Sequence, residues 1–247
     1  MNLLINVSDV MYEKGGGIMS KKWVLIISII SLMVISIIVA ISFKNSQDSR
    51  KDKINEVAHN LQEKMEEKYD ITITKKEGYY SKDMGYGVTL TTDNGITFDA
   101  WERKNDVIDF YMEEVWRTQV LNKWGYAHKY IDNIKKIDVN VGFRDGVNKD
   151  ISLLFKEIVD VKNDLWLTIY IDLDVPYDKN KARIIEEGVL NYYFQLQKDE
   201  GDGIELIIRH KENSKKQDTG SYLIIRDEDG KLPTINNVED IADTFFN

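Results

Sequence analysis

The sequence predicts an α+β protein carried by a single N-terminal transmembrane helix. Three observations predict it. Residues Trp23 to Phe43 form a run of 21 residues without charge, Pro or Gly. Downstream, segments with apolar residues at helical spacing interleave with segments of strict alternation. Turn signals such as Asp93-Asn94-Gly95 separate the alternating segments. The order they give is α-β-β-β-α over residues 53–135 and β-α-β-α-β-β-α over residues 136–247.

The apolar run comes first. A hydrocarbon core of ~30 Å needs about 20 apolar helical residues to cross it. Only serines interrupt the run, and a serine hydroxyl can bond back to its own helix. Residues 23–43 are therefore expected to be a transmembrane helix in contact with membrane lipid, with Trp23 and Phe43 at its two ends. A cleavable signal peptide has a shorter core, of roughly 7–15 residues, and a small-x-small cleavage site. Ala40-Ile41-Ser42 matches that site poorly, so an uncleaved anchor is expected. The chain has no Cys, which excludes a lipid-modified N-terminal cysteine.

Lys21 and Lys22 precede the run, and Lys44, Arg50, Lys51 and Lys53 follow it, so flanking charge does not decide orientation. Long C-terminal domains translocate largely regardless of charge. The expected topology is N-terminus inside and C-terminal domain extracytoplasmic, at the cell membrane. Residues 1–22 are a short N-terminal segment. Glu13-Lys14-Gly15-Gly16-Gly17 can be encoded by a string containing AAAGGAGGTG, a bacterial ribosome-binding sequence, at a normal distance before Met19. Translation is expected to begin at Met19, which makes residues 1–18 upstream DNA; a flexible cytoplasmic tail is the alternative.

Composition narrows the partners. Residues 1–44 hold four of the 33 basic and two of the 42 acidic groups, which leaves residues 45–247 with 29 basic, 40 acidic and a net charge of −11. That sign argues against nucleic acid and against adsorption on anionic surfaces. Absence of Cys removes disulfides, thiol catalysis and Cys-ligated zinc together. An extracytoplasmic domain without Cys, rich in Lys, Ile and Asn, suits a low-GC Gram-positive bacterium.

Residues 44–52 are polar throughout and read as a linker. Ile54, Val57, Ala58, Leu61 and Met65 then lie on one face of an amphipathic helix. After Tyr69 the period becomes two. Ile71 and Ile73 alternate with Thr72 and Thr74; Tyr86, Val88 and Leu90 make a second strand; Ile96, Phe98 and Ala100 make a third. The Asn94-Gly95 pair between the last two predicts a hairpin with both turn residues at positive φ. A long helix is expected over about Asp106–Lys129, from Ile108, Met112, Trp116, Val120 and Trp124 at steps of four, with Gly125 as an earlier stop.

In the second half, Ile137, Val139, Val141 and Phe143 alternate. Ile151, Leu154, Phe155 and Ile158 make a short helical face after an Asp150 cap. Leu165, Leu167, Ile169, Ile171, Leu173 and Val175 line one face of the cleanest strand, with Trp166, Thr168, Tyr170, Asp172 and Asp174 on the wet face. A helix over about Asn180–Lys198, strands at Ile204–Lys211 and Tyr222–Asp227, and a terminal helix at Val238–Phe246 complete the chain.

Chemistry-bearing motifs are weak. His59, His128 and His210 lack metal-ligand spacing. Asp172 and Asp174 lie ~6–7 Å apart on one strand face, but calcium wants roughly six to eight oxygens, so no metal site is expected. Asp227-Glu228-Asp229-Gly230 lacks the spaced acids of an EF-hand loop and reads as a polar turn. Gly85-Tyr86-Gly87 and Gly201-Asp202-Gly203 lack phosphate-loop spacing. No catalytic residue and no cofactor site is expected. The first half is rich in aromatics (Tyr79, Tyr80, Tyr86, Tyr111, Trp116, Trp124, Tyr126 and Tyr130 among them), and at helical spacing most of these belong to a core. Trp101 is the candidate recognition residue, because alternation puts it on the face opposite Phe98 and Ala100.

The stretch Glu66-Glu67-Lys68-Tyr69-Asp70 leading into Ile71-Thr72-Ile73, together with Val139-Asn140-Val141-Gly142-Phe143, resembles membrane-anchored and lipoprotein-type α+β surface proteins of low-GC Gram-positive bacteria. The resemblance spans most of residues 53–247 and implies no activity. The lipid-anchor Cys of the lipoprotein members is missing here, so the helix must hold the membrane. The expected function is a non-enzymatic binding or interaction module at the cell surface. The alternative is an accessory subunit of a membrane complex acting through the transmembrane helix.

Overall fold

The computed structural model describes residues 21–104, 106–212 and 220–246. The expected start at Met19 lies outside them. The chain is a mixed α+β protein with two sheets and several helices. It divides into two compact units, Met1–Asn55 and Glu56–Asn247.

Helix α1 runs Lys21–Tyr69. Residues 44–52, expected as a linker, are helical, and the reason is local: that polar stretch holds neither Pro nor Gly to stop a helix. In the first unit, the described large apolar side chains from Ile29 to Val39 are all exposed, by 45–64%. Among the described residues no helix is long and apolar enough to cross a membrane. Most of the remaining side chains of residues 23–43, including those of Trp23 and Phe43, lie outside the described residues.

The second unit opens on the C-terminal end of α1, which buries Val57, Ala58, Leu61 and Met65 from the predicted face, and Tyr69 beyond it, while Ile54 is half-buried. Strands β1 (Ile73–Ser81), β2 (Gly85–Thr92), β3 (Thr97–Arg103) and β4 (Asp106–Asp109) form an antiparallel meander in that order. Two expectations are corrected here. The β2–β3 connection is a four-residue loop in which Gly95 (φ 86), but not Asn94, takes positive φ. Residues 106–109, expected as the start of a helix, are strand β4, and α2 is confined to Tyr111–Trp124. Lys104 turns the chain at φ 59, and Arg103 then pairs with Asp106. The i+4 ladder from Ile108 is coincidental, because β-branched Val107 and Ile108 gain a sheet partner that a helix cannot offer.

The second sheet has the order β5 (Ile134–Phe143), β6 (Leu165–Leu173), β7 (Glu205–Arg209), β8 (Ser221–Ile224), β9 (Phe245–Phe246). All neighbours are antiparallel except β6 and β7, which are parallel. Their crossover carries helix α4 (Ala182–Lys198), as parallel neighbours require. Between β5 and β6 lie a 3-10 turn at Ile151–Phe155, capped by Asp150 through Ser152 N, and the short helix α3 (Ile158–Val161). The expected terminal helix over residues 238–246 is shorter. Helix α5 spans Val238–Ala242 behind an Asn237/Asp240 capping box, and Phe245 and Phe246 pair with Tyr222 and Ser221 as β9. Aromatic residues favour a pleated position when a strand edge is on offer. One contiguous buried cluster runs under both sheets and includes Trp116 and Trp124 on α2, Ile169 and Ile171 on β6, and Tyr192 on α4.

Candidate functional site

Cross-strand register builds the candidate surface. Tyr79 pairs with Gly87, Gly87 with Trp101, and Trp101 with Ile108, so these four form one row across the first sheet. Phe98 and Ala100 point to the opposite face and are buried, while Trp101 is half-buried. The Trp101 ring lies 5.3 Å from that of Phe110, which follows β4 and is 44% exposed. The Tyr79 ring closes over Gly87: a Cβ on Gly87 would come within 2.7 Å of its far end and would displace it.

The Tyr79 hydroxyl is buried and has no hydrogen-bond partner among the described residues. Burial, then the negative charge of Asp99, raise its pKa above the ordinary phenol value, so it stays protonated and can donate as well as accept. A polar row borders the apolar one. Glu77, Thr89 and Asp99 are in register, and Thr89 Oγ1 donates to Asp99 at 2.6 Å. Thr91 and Thr97 share a 3.1 Å hydrogen bond. The rings of Tyr79 and Trp101 offer contact area, and the polar row beside them offers groups that hydrogen-bond in fixed directions. Trp101 is legible from alternation. Tyr79, Ile108 and Phe110 are not, because only the strand register brings them beside it.

The other sequence-derived residues fall elsewhere. Asp172 accepts from Arg209 Nε at 2.7 Å and Asp174 from Lys211 Nζ at 2.8 Å, so both carboxylates face basic partners. Asp227 accepts from Lys231 N at 2.8 Å and closes its own turn. Exposed His59 lies 3.4 Å from Glu63, and His128 is exposed in a 3-10 turn at Ala127–Lys129. Among the described residues no three His, Cys, Asp or Glu side chains are grouped to hold a metal ion. Of the aromatic-rich first half, Tyr111, Trp116 and Trp124 are core residues.

Two buried polar sites escape sequence reading. Asp109, whose side chain is 2% exposed, accepts from Tyr69 Oη at 2.8 Å, Lys68 Nζ at 2.8 Å and Tyr111 N at 3.2 Å, with Lys149 Nζ at 3.9 Å. Burial pushes its pKa up, but Lys68, Lys149 and Tyr69 outweigh that and hold it below the usual carboxylate value. Burial and the Asp109 charge raise the Tyr69 phenol far above its usual value, which removes it as a nucleophile. The second site is His210, 4% exposed, with the rings of Tyr177, Tyr222 and Phe245 at 5.3, 5.8 and 6.4 Å. Its Nδ1 meets the Val175 carbonyl at 3.3 Å. A carbonyl only accepts, so Nδ1 carries the proton. Nε2 is then an acceptor, and it is buried without a partner among the described residues.

Comparison of the chain with family models, with curated proteins and with solved structures returns no match.

Proposed function

We propose that the protein is a membrane-anchored, extracytoplasmic, non-enzymatic binding module that meets its partner through the sheet face centred on Trp101. The observation that carries this reading is the Trp101–Phe110 pair at 5.3 Å, with Phe110 44% exposed and Trp101 in the same row as Tyr79 and Ile108 on the face of the first sheet opposite buried Phe98 and Ala100. Neighbouring apolar side chains that share one solvent-facing surface mark a docking site better than a ring exposed singly. The anchor is supported by the uncharged run at residues 23–43 and by the apolar side chains exposed from Ile29 to Val39. A helix apolar on all sides needs an apolar surrounding. The net charge of −11 beyond residue 44 favours a neutral or basic partner over nucleic acid.

The test has two arms. Alkaline extraction of cells should leave the full-length chain in the membrane pellet, and deletion of residues 23–43 should release it. A photo-crosslinker at Trp101 in intact cells should give a discrete adduct that the same group at exposed Asp83 does not. A soluble full-length chain would remove the anchor, and equal labelling at the two positions would remove the recognition face.

A further inference from the structure

Where β6 ends, the chain leaves the sheet through Val175 and Pro176 before α4 begins at Ala182. This exit runs beside the entry to β5, where Asn133 holds a left-handed backbone (φ 59) and its carbonyl accepts from Asp174 N at 2.8 Å. A cleft of about 390 Å³ lies there. That is the small end of the ligand-pocket range of roughly 300–1,000 Å³. Its apolar wall comes from Tyr130, Pro176, Ile184 and Ile185. Asp132, Asp178 and Lys181 supply its charge.

Charge is what identifies the occupant. Asp132, Asp178 and Lys181 line one small cleft, yet no ion pair joins them to each other or to another described residue. Asp178 Oδ1 accepts only from Asn180 N, at 3.0 Å. Two carboxylates and one ammonium beside aliphatic side chains complement a small molecule that carries both signs and an apolar group. We infer that this cleft binds a small zwitterion with an aliphatic side chain, an α-amino acid or short peptide. Its ammonium lies at Asp132 and Asp178, its carboxylate at Lys181, and its side chain against Ile184, Ile185 and Pro176.

The wall is braced before any ligand arrives. The Val175 carbonyl accepts from Lys211 N at 3.0 Å and from His210 Nδ1 at 3.3 Å. Tyr177, next in the chain after Pro176, stacks on Phe245 at 4.1 Å. A pre-formed wall lowers the ordering cost of binding. Trp101 takes no part in the cleft, so the recognition face and this site stand or fall separately.

Calorimetric titration of the full-length chain in detergent tests the site with three probes: L-leucine, L-leucyl-L-leucine and N-acetyl-leucinamide, which has neither charge. Leucine, the dipeptide or both should bind saturably, and the one that binds more tightly identifies the source as free amino acid or peptide. The neutral probe should bind at least roughly tenfold more weakly, the cost of losing a charge-assisted contact. Lys181→Met, and Asp132→Asn combined with Asp178→Asn, should each weaken the charged probe by a similar factor. Asn at 178 keeps the acceptor for Asn180 N, and unchanged circular dichroism would show the fold is intact. No saturable binding up to about 10 mM overturns the site. So does equal affinity for the neutral probe, or affinity within twofold of wild type in both variants.

Discussion

Asp109 and His210 are both buried polar side chains in the same compact unit, and they are handled in opposite ways. Asp109 keeps its charge and is surrounded by donors from α1, α2 and the segment carrying Lys149. His210 gives up its charge. It meets one backbone carbonyl and is otherwise walled by rings. A charge in a low-dielectric interior is tolerated only with partners, whereas a neutral imidazole can be treated as an aromatic with one lone pair unmet. The difference teaches where the fold is tied. Asp109 joins helix to sheet through polar bonds that must all be present. His210 packs against β9 and the exit from β6 through shape.

The largest effect should follow from Asp109→Ala. It strands the Tyr69 hydroxyl and the Tyr111 N–H in the interior and removes the counter-charge of Lys68 and Lys149. Both lysines reach solvent, so their part is modest, and a loss of ~3 kcal/mol is expected, read by urea unfolding. A loss below about 1 kcal/mol would mean that water replaces the carboxylate and that the site is not closed.

The next effect separates the two sites by pH. His210 is held below its ordinary value of 6.5 by burial, with the Val175 carbonyl opposing weakly. Below that value the unfolded chain takes up a proton that the folded chain refuses. Stability is therefore full at neutral pH and falls as pH drops through about 6.5, by up to ~1.4 kcal/mol per unit. Asp109, held below 3.8, contributes stability above that value and loses it only as pH falls further. Melting temperature should thus decline in two separate windows, one below pH 6.5 and one below about pH 4. His210→Phe should flatten the first window and leave the second. The Val175 carbonyl keeps its bond from Lys211 N, so the substitution strands nothing. A first window that survives His210→Phe would show that His210 is not its source.

Neither buried site is legible in the sequence, and the reason is distance along the chain. Lys68 and Lys149 lie 41 and 40 residues from Asp109, on either side of it. Asp109 itself reads as part of a helix, because Ile108, Met112 and Trp116 keep helical spacing straight through the strand-to-helix boundary. What alternation and helical spacing do carry is which face is core. Leu165 to Leu173 on β6, and Val57 to Met65 on α1, bury the residues their periods select, although Thr168, expected on the wet face of β6, is buried as well and donates to Glu205. Period alone says nothing of neighbours. The parallel β6–β7 pair, the two-residue β9 and the Tyr79-Gly87-Trp101-Ile108 row all depend on register, which is a property of two strands and not of one. Trp101 can be picked out as a face residue, but its partners cannot.

The smallest effect gives the comparison its baseline. Asp172 and Asp174 are carboxylates with basic partners, as Asp109 is, but theirs are on the wet face of β6. Arg209 and Lys211 reach them at 2.7 and 2.8 Å while remaining largely exposed. Exposed pairs are screened by water and salt and contribute roughly 0–1 kcal/mol. Replacing both (Asp172→Asn with Asp174→Asn) strands no donor, because Arg209 and Lys211 turn to solvent. The melting temperature should stay unchanged within error, and added calcium should not alter it in either protein. Two carboxylates cannot by themselves replace the hydration shell of calcium, which takes roughly six to eight oxygens. A calcium-dependent rise in melting temperature that vanishes in the double variant would make this strand end a cation site. A calcium-independent loss approaching that of Asp109→Ala would show instead that exposure is a poor guide to which carboxylates hold this fold together.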